Sequence, residues 1–251
     1  MIGILDSGSG GLTVMRALRE ELPSADITYF GDVKNAPYGS KTRAELSQLT
    51  VAAIKLLQER KVNRIVSACN SVSASLAVSL YDVFDLSTQN LIEMVGPTVA
   101  YLKNSSARIA VCATPATITS GMYDNAFRML GKDTLTIPIP DLAQLIEFGG
   151  AETEMKSVIS EALEPFCGQY EVLILACTHY PLVAEVFADI VGEGIALFDP
   201  AEAVAQRAKK LFWPMEVGSG STHFILSQQS DQFEFYVKKF FPEMKYTLEI
   251  L

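Results

Sequence analysis

Residues 64–71 read RIVSACNS and residues 172–179 read VLILACTH, so two apolar runs each end in Ala-Cys followed by small polar residues. Such runs are typical of buried strands in parallel sheets. In open α/β sheets, ligands bind beyond the carboxyl ends of the strands. Cys69 and Cys177 therefore stand at equivalent positions where chemistry is usual, and the pair indicates one site with two opposed faces.

A second pair of segments repeats with almost the same spacing. Residues 2–8 read IGILDSG and residues 109–115 read IAVCATP. The interval between these two segments matches that between the Ala-Cys segments to within one residue. Similarity at a fixed interval indicates a duplicated unit. We therefore predict two similar α/β domains that face each other across a cleft.

Short β-branched runs alternate with helical patterns, which predicts parallel sheets with helices on their faces. Strands are expected near residues 2–5, 27–31, 63–68, 91–95, 108–112, 134–138, 171–176 and 195–198. A boundary at Gly96-Pro97 and another within residues 201–212 divide the chain. Residues 1–96 with 211–251 would form the first domain, and residues 97–210 the second.

Helix signals accompany these strands. Thr42 and Glu45 match a capping box at the start of an amphipathic crossover helix. A similar apolar pattern from Leu12 to Leu22 follows the first strand and ends before Pro23. The tail from Thr222 onward predicts a short strand and an amphipathic helix that pack against the first domain.

Composition excludes several classes of function. A formal net charge of −9 over 251 residues argues against binding to nucleic acid, which needs clustered Lys and Arg. No apolar stretch approaches the roughly 20 residues of a membrane span, and the N-terminus lacks a signal-peptide pattern. We therefore expect a cytoplasmic protein without a membrane partner. The four cysteines lack C-x-x-C spacing, which favours free thiols over disulfides and disfavours a metal site.

Two opposed thiols suit proton transfer at a carbon atom. A thiolate can remove a proton from one face of a stereocentre while a thiol delivers one to the other face, which gives the mirror-image product. Asp6, at the end of the first strand, and His179, two residues after Cys177, are the candidates that tune the two thiols. For each cysteine taken alone, burial as a small apolar side chain is the alternative.

Residues 6–11, DSGSGG, predict a glycine-rich turn between the first strand and its helix. The pattern is neither the dinucleotide fingerprint nor a Walker loop. Glycines here permit positive φ and close backbone approach, and N–H groups at the helix start could bind an anion. A tight turn without a ligand is the alternative.

Five motifs occur in a fixed order: DSGSGG at 6–11, PYG at 37–39, ACNS at 68–71, TPAT at 114–117 and CTH at 177–179. Over nearly the whole chain they resemble the glutamate racemases of the aspartate/glutamate racemase superfamily. The resemblance implies cofactor-independent, two-base racemisation of L- and D-glutamate, which supplies D-glutamate for bacterial peptidoglycan. It also implies an active site between two α/β domains and, in many members, a homodimer.

The resemblance also suggests roles for individual residues. It implies that Cys69 and Cys177 are the two bases, assisted by Asp6 and His179 respectively, and it adds Glu147 as an acidic residue of the second domain near the site. The residues expected to hold the substrate are Ser7, Pro37, Tyr38, Gly39, Asn70, Ser71, Thr114, Thr117 and Thr178.

The chain departs from the family pattern in two places. Ser71 stands where threonine is usual, and residues 226–230, LSQQS, lack the usual Ser-Gly-Asp turn. His179, where aspartate racemases tend to carry Glu, favours glutamate as the substrate. Two alternatives remain: a racemase or isomerase of the same superfamily that acts on aspartate or another small acid, and a binding protein that keeps the cleft without turnover.

Overall fold

The computed structural model describes residues 1–75, 83–215 and 217–251. The strands of the described residues are β1 Ile2–Asp6, β2 Ile27–Gly31, β3 Arg64–Ser67, β4 Leu91–Ile92, β5 Ile109–Ala113, β6 Thr134–Pro138, β7 Val172–Leu175, β8 Ala196–Phe198, β9 Thr222–Leu226 and β10 Thr247–Ile250. They form two sheets, in the orders β10-β9-β2-β1-β3-β4 and β6-β5-β7-β8. Both sheets are parallel throughout, so the predicted fold class is confirmed.

The two sheets share a strand order. β2-β1-β3-β4 in the first sheet corresponds to β6-β5-β7-β8 in the second, and the first sheet adds β9 and β10. β1 and β5, which begin the two repeated units of the sequence, each lie between the corresponding neighbours. The two-fold repeat of the sequence is therefore a repeat of topology. The domain boundaries themselves remain a prediction.

The helices connect the strands and cover the sheets. They are α1 Leu12–Glu21, α2 Arg43–Glu59, α3 Asn70–Ser75, α4 Val95–Leu102, α5 Pro115–Ser120, α6 Met122–Arg128, α7 Leu142–Glu147, α8 Glu152–Leu163, α9 Ala184–Val191, α10 Pro200–Phe212 and α11 Asp231–Phe240. Short 3₁₀ turns occupy Val33–Asn35, Tyr38–Ser40, Glu164–Phe166 and Tyr180–Val183.

The sequence signals for helices are confirmed where they were strongest. At the start of α2, the Thr42 side chain accepts from the Glu45 backbone N–H, and the Glu45 carboxylate accepts from the Thr42 N–H in return. This reciprocal box satisfies two helix donors that would otherwise lack partners. α1 begins directly after the glycine-rich turn and buries Leu12, Val14 and Leu18. α11 buries Phe233 and Val237 against the first sheet, as expected for a packing helix.

β4 is shorter than the predicted strand at 91–95, because α4 already begins at Val95. The Glu93 carboxylate accepts from the backbone N–H groups of Val95 and Gly96, each at 2.6 Å, and so caps this helix start. β10, at the edge of the first sheet, was not predicted. Its alternation is short, and three of its four residues are exposed.

The register places the loops that carry the sequence motifs at one edge of each sheet. In the first sheet, Asp6 pairs with Gly31 and Leu5 with Ser67, so Cys69 lies just beyond the carboxyl end of β3. In the second sheet, Cys112 pairs with Leu175, so residues 114 and 177 follow neighbouring strands. α10 packs against α1 and α4 and joins the two halves.

Two features typical of other protein classes are missing from the described part of the chain. No helix within it combines the length and apolar character that crossing a bilayer requires. Nor do residues 1–75, 83–215 and 217–251 contain a group of three His, Cys, Asp or Glu side chains placed to hold a metal ion.

Candidate active site

The two halves meet at the carboxyl ends of their strands and leave a small cavity between them. Cys69, which follows β3, and Cys177, which follows β7, both line it. Both residues are almost completely buried, with 5% and 6% of their surface exposed. The arrangement brings the two thiols of the sequence repeat to one enclosed space.

The cavity brings together most of the residues singled out from the sequence. Its lining consists of Ser7, Pro37, Tyr38, Gly39, Cys69, Asn70, Ser71, Thr114, Ala143, Cys177, Thr178 and His179. Asp6, Thr117 and Glu147 are buried but do not line it; each supports a lining residue from behind. Ala143 was missed, because an alanine within an amphipathic helix carries no chemical signal in a sequence.

Asp6 links the two halves beneath the cavity. Its Oδ1 accepts from the Gly8 backbone N–H at 2.9 Å, and its Oδ2 accepts from the Thr178 hydroxyl at 3.1 Å. Burial raises the pKa of Asp6, although the positive charge of His179 acts in the opposite direction. Asp6 therefore holds the glycine-rich turn of the first half against the residue that follows Cys177.

Cys69 lies in surroundings that keep its proton in place. Its Sγ is 3.9 Å from the Ser7 hydroxyl. Burial and then the nearby Asp6 carboxylate raise the pKa of Cys69 to about 12. Asp6 therefore disfavours a thiolate at this position, and Cys69 is a neutral thiol near pH 7 in this closed arrangement.

Cys177 has the opposite kind of neighbour. Its Sγ is 3.9 Å from His179 Nδ1, and His179 Nε2 is 2.6 Å from Glu147 Oε2. Burial alone would lower the pKa of His179, but the Cys177 sulfur and the Glu147 carboxylate raise it well above its usual value. Burial alone would raise the pKa of Glu147, yet its hydrogen bonds with His179 and Ser9 bring it below its usual value. The pair is thus an imidazolium and a carboxylate, with the positive ring beside the sulfur.

The glycine-rich turn allows close contact between the two halves. A Cβ on Gly8 would lie 2.4 Å from Glu147 Oε1, and one on Gly10 would lie 2.6 Å from Thr178 Oγ1 and 2.9 Å from the His179 backbone nitrogen. Neither glycine has a positive φ, so the turn uses their lack of a side chain rather than their backbone freedom. Both the Ser9 N–H and its hydroxyl donate to Glu147 Oε2, at 2.9 and 2.6 Å. The anion held at this turn is the protein's own carboxylate.

Hydroxyl and amide groups of Asn70, Ser71 and Thr114 also line the cavity. The Ser71 and Thr114 hydroxyls are 3.1 Å apart, and Thr114 is in turn 3.2 Å from the Thr117 hydroxyl. The Asn70 Oδ1 accepts from the Tyr123 hydroxyl at 2.7 Å. The Asn70 Nδ2 is buried and has no hydrogen-bond partner among the described residues. These hydroxyl and amide groups are therefore available to a small ligand in the cavity.

Tyr38 closes the cavity from the first half. Its hydroxyl donates to Asp32 Oδ2 at 2.6 Å, and the Asn35 amide donates to both carboxylate oxygens of Asp32 at 3.0 Å. Asp32 was not singled out in the sequence, since its role depends on the fold of the turn around it.

Comparison with known proteins identifies the family. The profile of the Asp/Glu/Hydantoin racemase family matches residues 2–208. The chain belongs to the Asp/Glu/Hydantoin racemase family. Within this family it is 34% identical over 238 residues to the glutamate racemase of Aquifex aeolicus, covering 94% of this chain and 92% of that protein. It is 36% identical over 207 residues to a glutamate racemase of Lactococcus lactis subsp. cremoris, covering 81% and 76%.

Solved structures of family members superpose over the whole chain. The glutamate racemase isoform RacE1 of Bacillus anthracis matches with a TM-score of 0.87 at 25% identity, covering 100% of this chain and 97% of that one. The glutamate racemase of Francisella tularensis in complex with D-glutamate matches with a TM-score of 0.86 at 27% identity, covering 100% and 96%. Solved racemases of this family therefore share this arrangement of the two halves.

Proposed function

We propose that this chain is a glutamate racemase that interconverts L- and D-glutamate by two-base proton transfer between Cys69 and Cys177. The observation that carries the proposal is that both thiols line one small cavity, at equivalent strand ends of two similar halves. The curated relatives, named as glutamate racemases, support glutamate as the substrate.

The two sulfurs exchange roles in the two directions of the reaction. As a thiolate beside the His179 imidazolium, Cys177 removes the α-proton from the face of the substrate that it contacts. The Cys69 thiol then delivers its proton to the opposite face, which yields the mirror image. This leaves Cys177 as a thiol and Cys69 as a thiolate, the state from which the reverse reaction starts. The step needs no group other than the two side chains and the substrate.

Substrate binding relies on neutral donors. Among the described residues, no Lys or Arg lines the cavity; Ser7, Asn70, Ser71, Thr114 and Thr178 supply hydroxyl and amide groups. Such groups fix carboxylate oxygens by hydrogen bonds without adding a further positive charge to that of the His179 ring. Since these five residues are almost completely buried, the bonds are made away from bulk water, where each contributes more to positioning.

The same proposal gives the enzyme its cellular role. We infer that it acts in the cytoplasm, where it supplies D-glutamate for peptidoglycan synthesis, and that it forms a homodimer. The proposal includes the division into a first domain of residues 1–96 with 211–251 and a second of residues 97–210. One sheet contains β1–β4, β9 and β10, and the other contains β5–β8. This separation into two sheets supports the division.

Replacement of either thiol tests the proposal. We expect Cys69→Ala and Cys177→Ala each to lower racemisation of both enantiomers by at least about 10³-fold, because each removes the acid or base that acts on one face of the substrate. The measurement is the change in circular dichroism of L- or D-glutamate with time.

Cys167→Ala is the matched control, since Cys167 is exposed and lies outside the cavity, and it should retain full activity. Full turnover by either variant at Cys69 or Cys177 would contradict the proposal. Faster turnover of aspartate than of glutamate by the unmodified enzyme would contradict the substrate assignment.

A further inference from the structure

The Asn70 amide is held at one end only. Its Oδ1 accepts from the Tyr123 hydroxyl at 2.7 Å, whereas its Nδ2 has no partner among the described residues. Asn70 is 2% exposed and lines the cavity between Cys69 and Ser71. A buried amide donor without a partner loses its hydrogen bond to water and gains none in return, a cost that a bound acceptor would remove. The free end of the amide is therefore a ligand contact.

In this structure the Tyr123 hydroxyl faces Oδ1, which leaves Nδ2 as the free end of the amide. An asparagine side chain can turn by 180° about its last bond and so exchange an acceptor for two donors. Burial raises the pKa of Tyr123 well above its usual value, so its hydroxyl keeps its proton over the working range of pH. A hydroxyl that donates to Oδ1 leaves both Nδ2 protons available to an occupant of the cavity. The acceptors that such donors suit are carboxylate oxygens.

The contact between Tyr123 and Asn70 joins the two halves of the molecule. Asn70 begins α3, directly after β3 of the first sheet, whereas Tyr123 lies on α6 and packs with Val99, Phe127 and Ile174 around the second sheet. The 2.7 Å bond therefore crosses between the two halves as they are placed here. The Asn70 donor is thus oriented by the same approach of the two halves that encloses the cavity.

From these contacts we propose that Tyr123 is a positioning residue for the racemase: its hydroxyl orients the Asn70 amide so that Nδ2 donates to a carboxylate oxygen of the bound amino acid. The inference rests on the proposed function and extends it to a residue that does not line the cavity. Without the hydroxyl, the amide turns freely and presents Oδ1 to the substrate carboxylate for part of the time, which weakens binding.

The first test is Tyr123→Phe, which removes only the hydroxyl. We expect KM for both glutamate enantiomers to rise about tenfold while kcat changes by less than threefold. Tyr180→Phe is the matched control, because Tyr180 is equally buried and its hydroxyl donates to the Ile139 carbonyl at 3.0 Å, outside the cavity. It loses a comparable hydrogen bond, so its stability should fall similarly while its KM stays within twofold of the unmodified value. An unchanged KM in Tyr123→Phe would overturn the inference.

A double-mutant cycle separates positioning from a general structural effect. In an Asn70→Ala background, Tyr123→Phe should change KM by less than twofold, because the group that it orients is gone. A rise by the same factor in both backgrounds would overturn the inference.

A third variant does not depend on the folding of Tyr123→Phe. Asn70→Asp keeps an acceptor for Tyr123 but places a carboxylate oxygen where Nδ2 stood, so KM should rise at least as much as in Asn70→Ala. A KM equal to that of the unmodified enzyme would overturn the inference. Racemisation of glutamate by the unmodified enzyme is measured first, so that a failure of the proposed function is distinguished from a failure of this inference.

Discussion

The two sulfurs differ in the charge that faces them. Cys69 lies near the Asp6 carboxylate, and burial together with that charge raises the pKa of Cys69 to about 12. Cys177 lies beside the His179 imidazolium, which the Glu147 carboxylate stabilises. In the proposed reaction, this difference assigns proton removal from one enantiomer to Cys177 and proton delivery to Cys69. In the reverse direction, Asp6 helps to return the proton to Cys69.

Glu147→Gln tests the source of the positive charge beside Cys177. Loss of the carboxylate lowers the pKa of His179, so the imidazolium is lost at a lower pH than in the unmodified enzyme. The alkaline limb of the kcat/KM profile should shift towards lower pH, and kcat should fall by at least about tenfold. Measurement of kcat and kcat/KM against pH in both reaction directions checks this prediction.

Glu152→Gln, at an exposed position at the start of α8, is the control and should leave the profile unchanged. An alkaline limb in Glu147→Gln that coincides with that of the unmodified enzyme would contradict the role given to Glu147.

At the residue scale, the sequence predicts the side chains that carry chemistry and the supporting Asp6, but not all of the side chains that support them. Cys69 and Cys177 can be found because each follows an apolar strand and the two contexts repeat. Ser9 and Tyr123 cannot, since their partners Glu147 and Asn70 are 138 and 53 residues away in the chain. The direction in which Asp6 shifts the pKa of Cys69 also depends on burial, which the local sequence does not show.

Among the elements, the turn at residues 6–11 has the strictest spatial requirement. Its backbone packs directly against Glu147, Thr178 and His179 of the second half. The sequence indicates a tight turn there, and close approach was one of the two uses predicted for its glycines. The sequence does not show that these glycines approach the other half of the molecule rather than a ligand.

Gly10→Ala tests this contact. The new methyl group would meet the backbone of His179 at 2.9 Å, so one of the two halves must shift. We expect a loss of about 1–3 kcal/mol in the free energy of unfolding and a fall in kcat of at least about tenfold, because the shift separates the two thiols. Chemical denaturation and racemisation assays measure the two effects.

Gly168→Ala is the control. Gly168 has a φ of +74° and no heavy atom of the surroundings within 4 Å of an added Cβ. Its replacement costs about 1 kcal/mol of backbone strain and should leave activity intact. Full activity in Gly10→Ala would mean that the turn does not set the distance between the halves.

Asp26 joins the starts of β2 and β9 and so anchors the return of the chain to the first sheet. Its Oδ1 accepts from the backbone and side chain of both Ser219 and Ser221, at 2.6 to 3.0 Å. The hydrogen bonds of Ser221, together with those of Ser219, lower the pKa of Asp26 to about 2 from its usual 3.8. Since the folded-state value is the lower one, the stabilisation is complete above about pH 4 and is lost as pH falls through 2.

Asp26→Asn should therefore lower the free energy of unfolding by about 1 kcal/mol near pH 7, a figure reduced for solvent screening at this largely exposed site. The difference from the unmodified protein should shrink as pH falls towards 2. Urea denaturation at several pH values measures it. Asp133→Asn, at an exposed position, serves as the control. A difference in the free energy of unfolding that stays constant from pH 7 to pH 2 would show that the stabilisation does not depend on the charge of Asp26.

The strand pattern was largely predictable. Eight of the predicted strands are present at the expected places, because β-branched runs with helical segments between them are typical of parallel sheets. β4 ends early, because the Glu93 carboxylate caps α4 two residues later. β10 is an exposed edge strand whose stability comes from pairing with β9, and such pairing leaves little trace in local sequence.

For the molecule as a whole, the repeat predicts two similar halves, and the shared strand order agrees with it. How the halves face each other is set by contacts that cross between them: Asp6 with Thr178, Ser9 with Glu147, and Asn70 with Tyr123. Each contact pairs residues far apart in the chain, so a single sequence indicates that a cleft exists but not how it closes. These contacts place the two thiols around one space.

The most direct test of two opposed thiols follows hydrogen at the α-carbon. The enzyme is incubated with L-glutamate in heavy water, and both enantiomers are recovered early in the reaction. Because one sulfur removes the original proton and the other delivers a solvent deuteron, we expect deuterium in nearly all of the D-glutamate formed and almost none in the remaining L-glutamate. The same should hold with the enantiomers exchanged. Deuterium that enters the recovered substrate as fast as the product would show a single base acting on both faces, and would contradict the account.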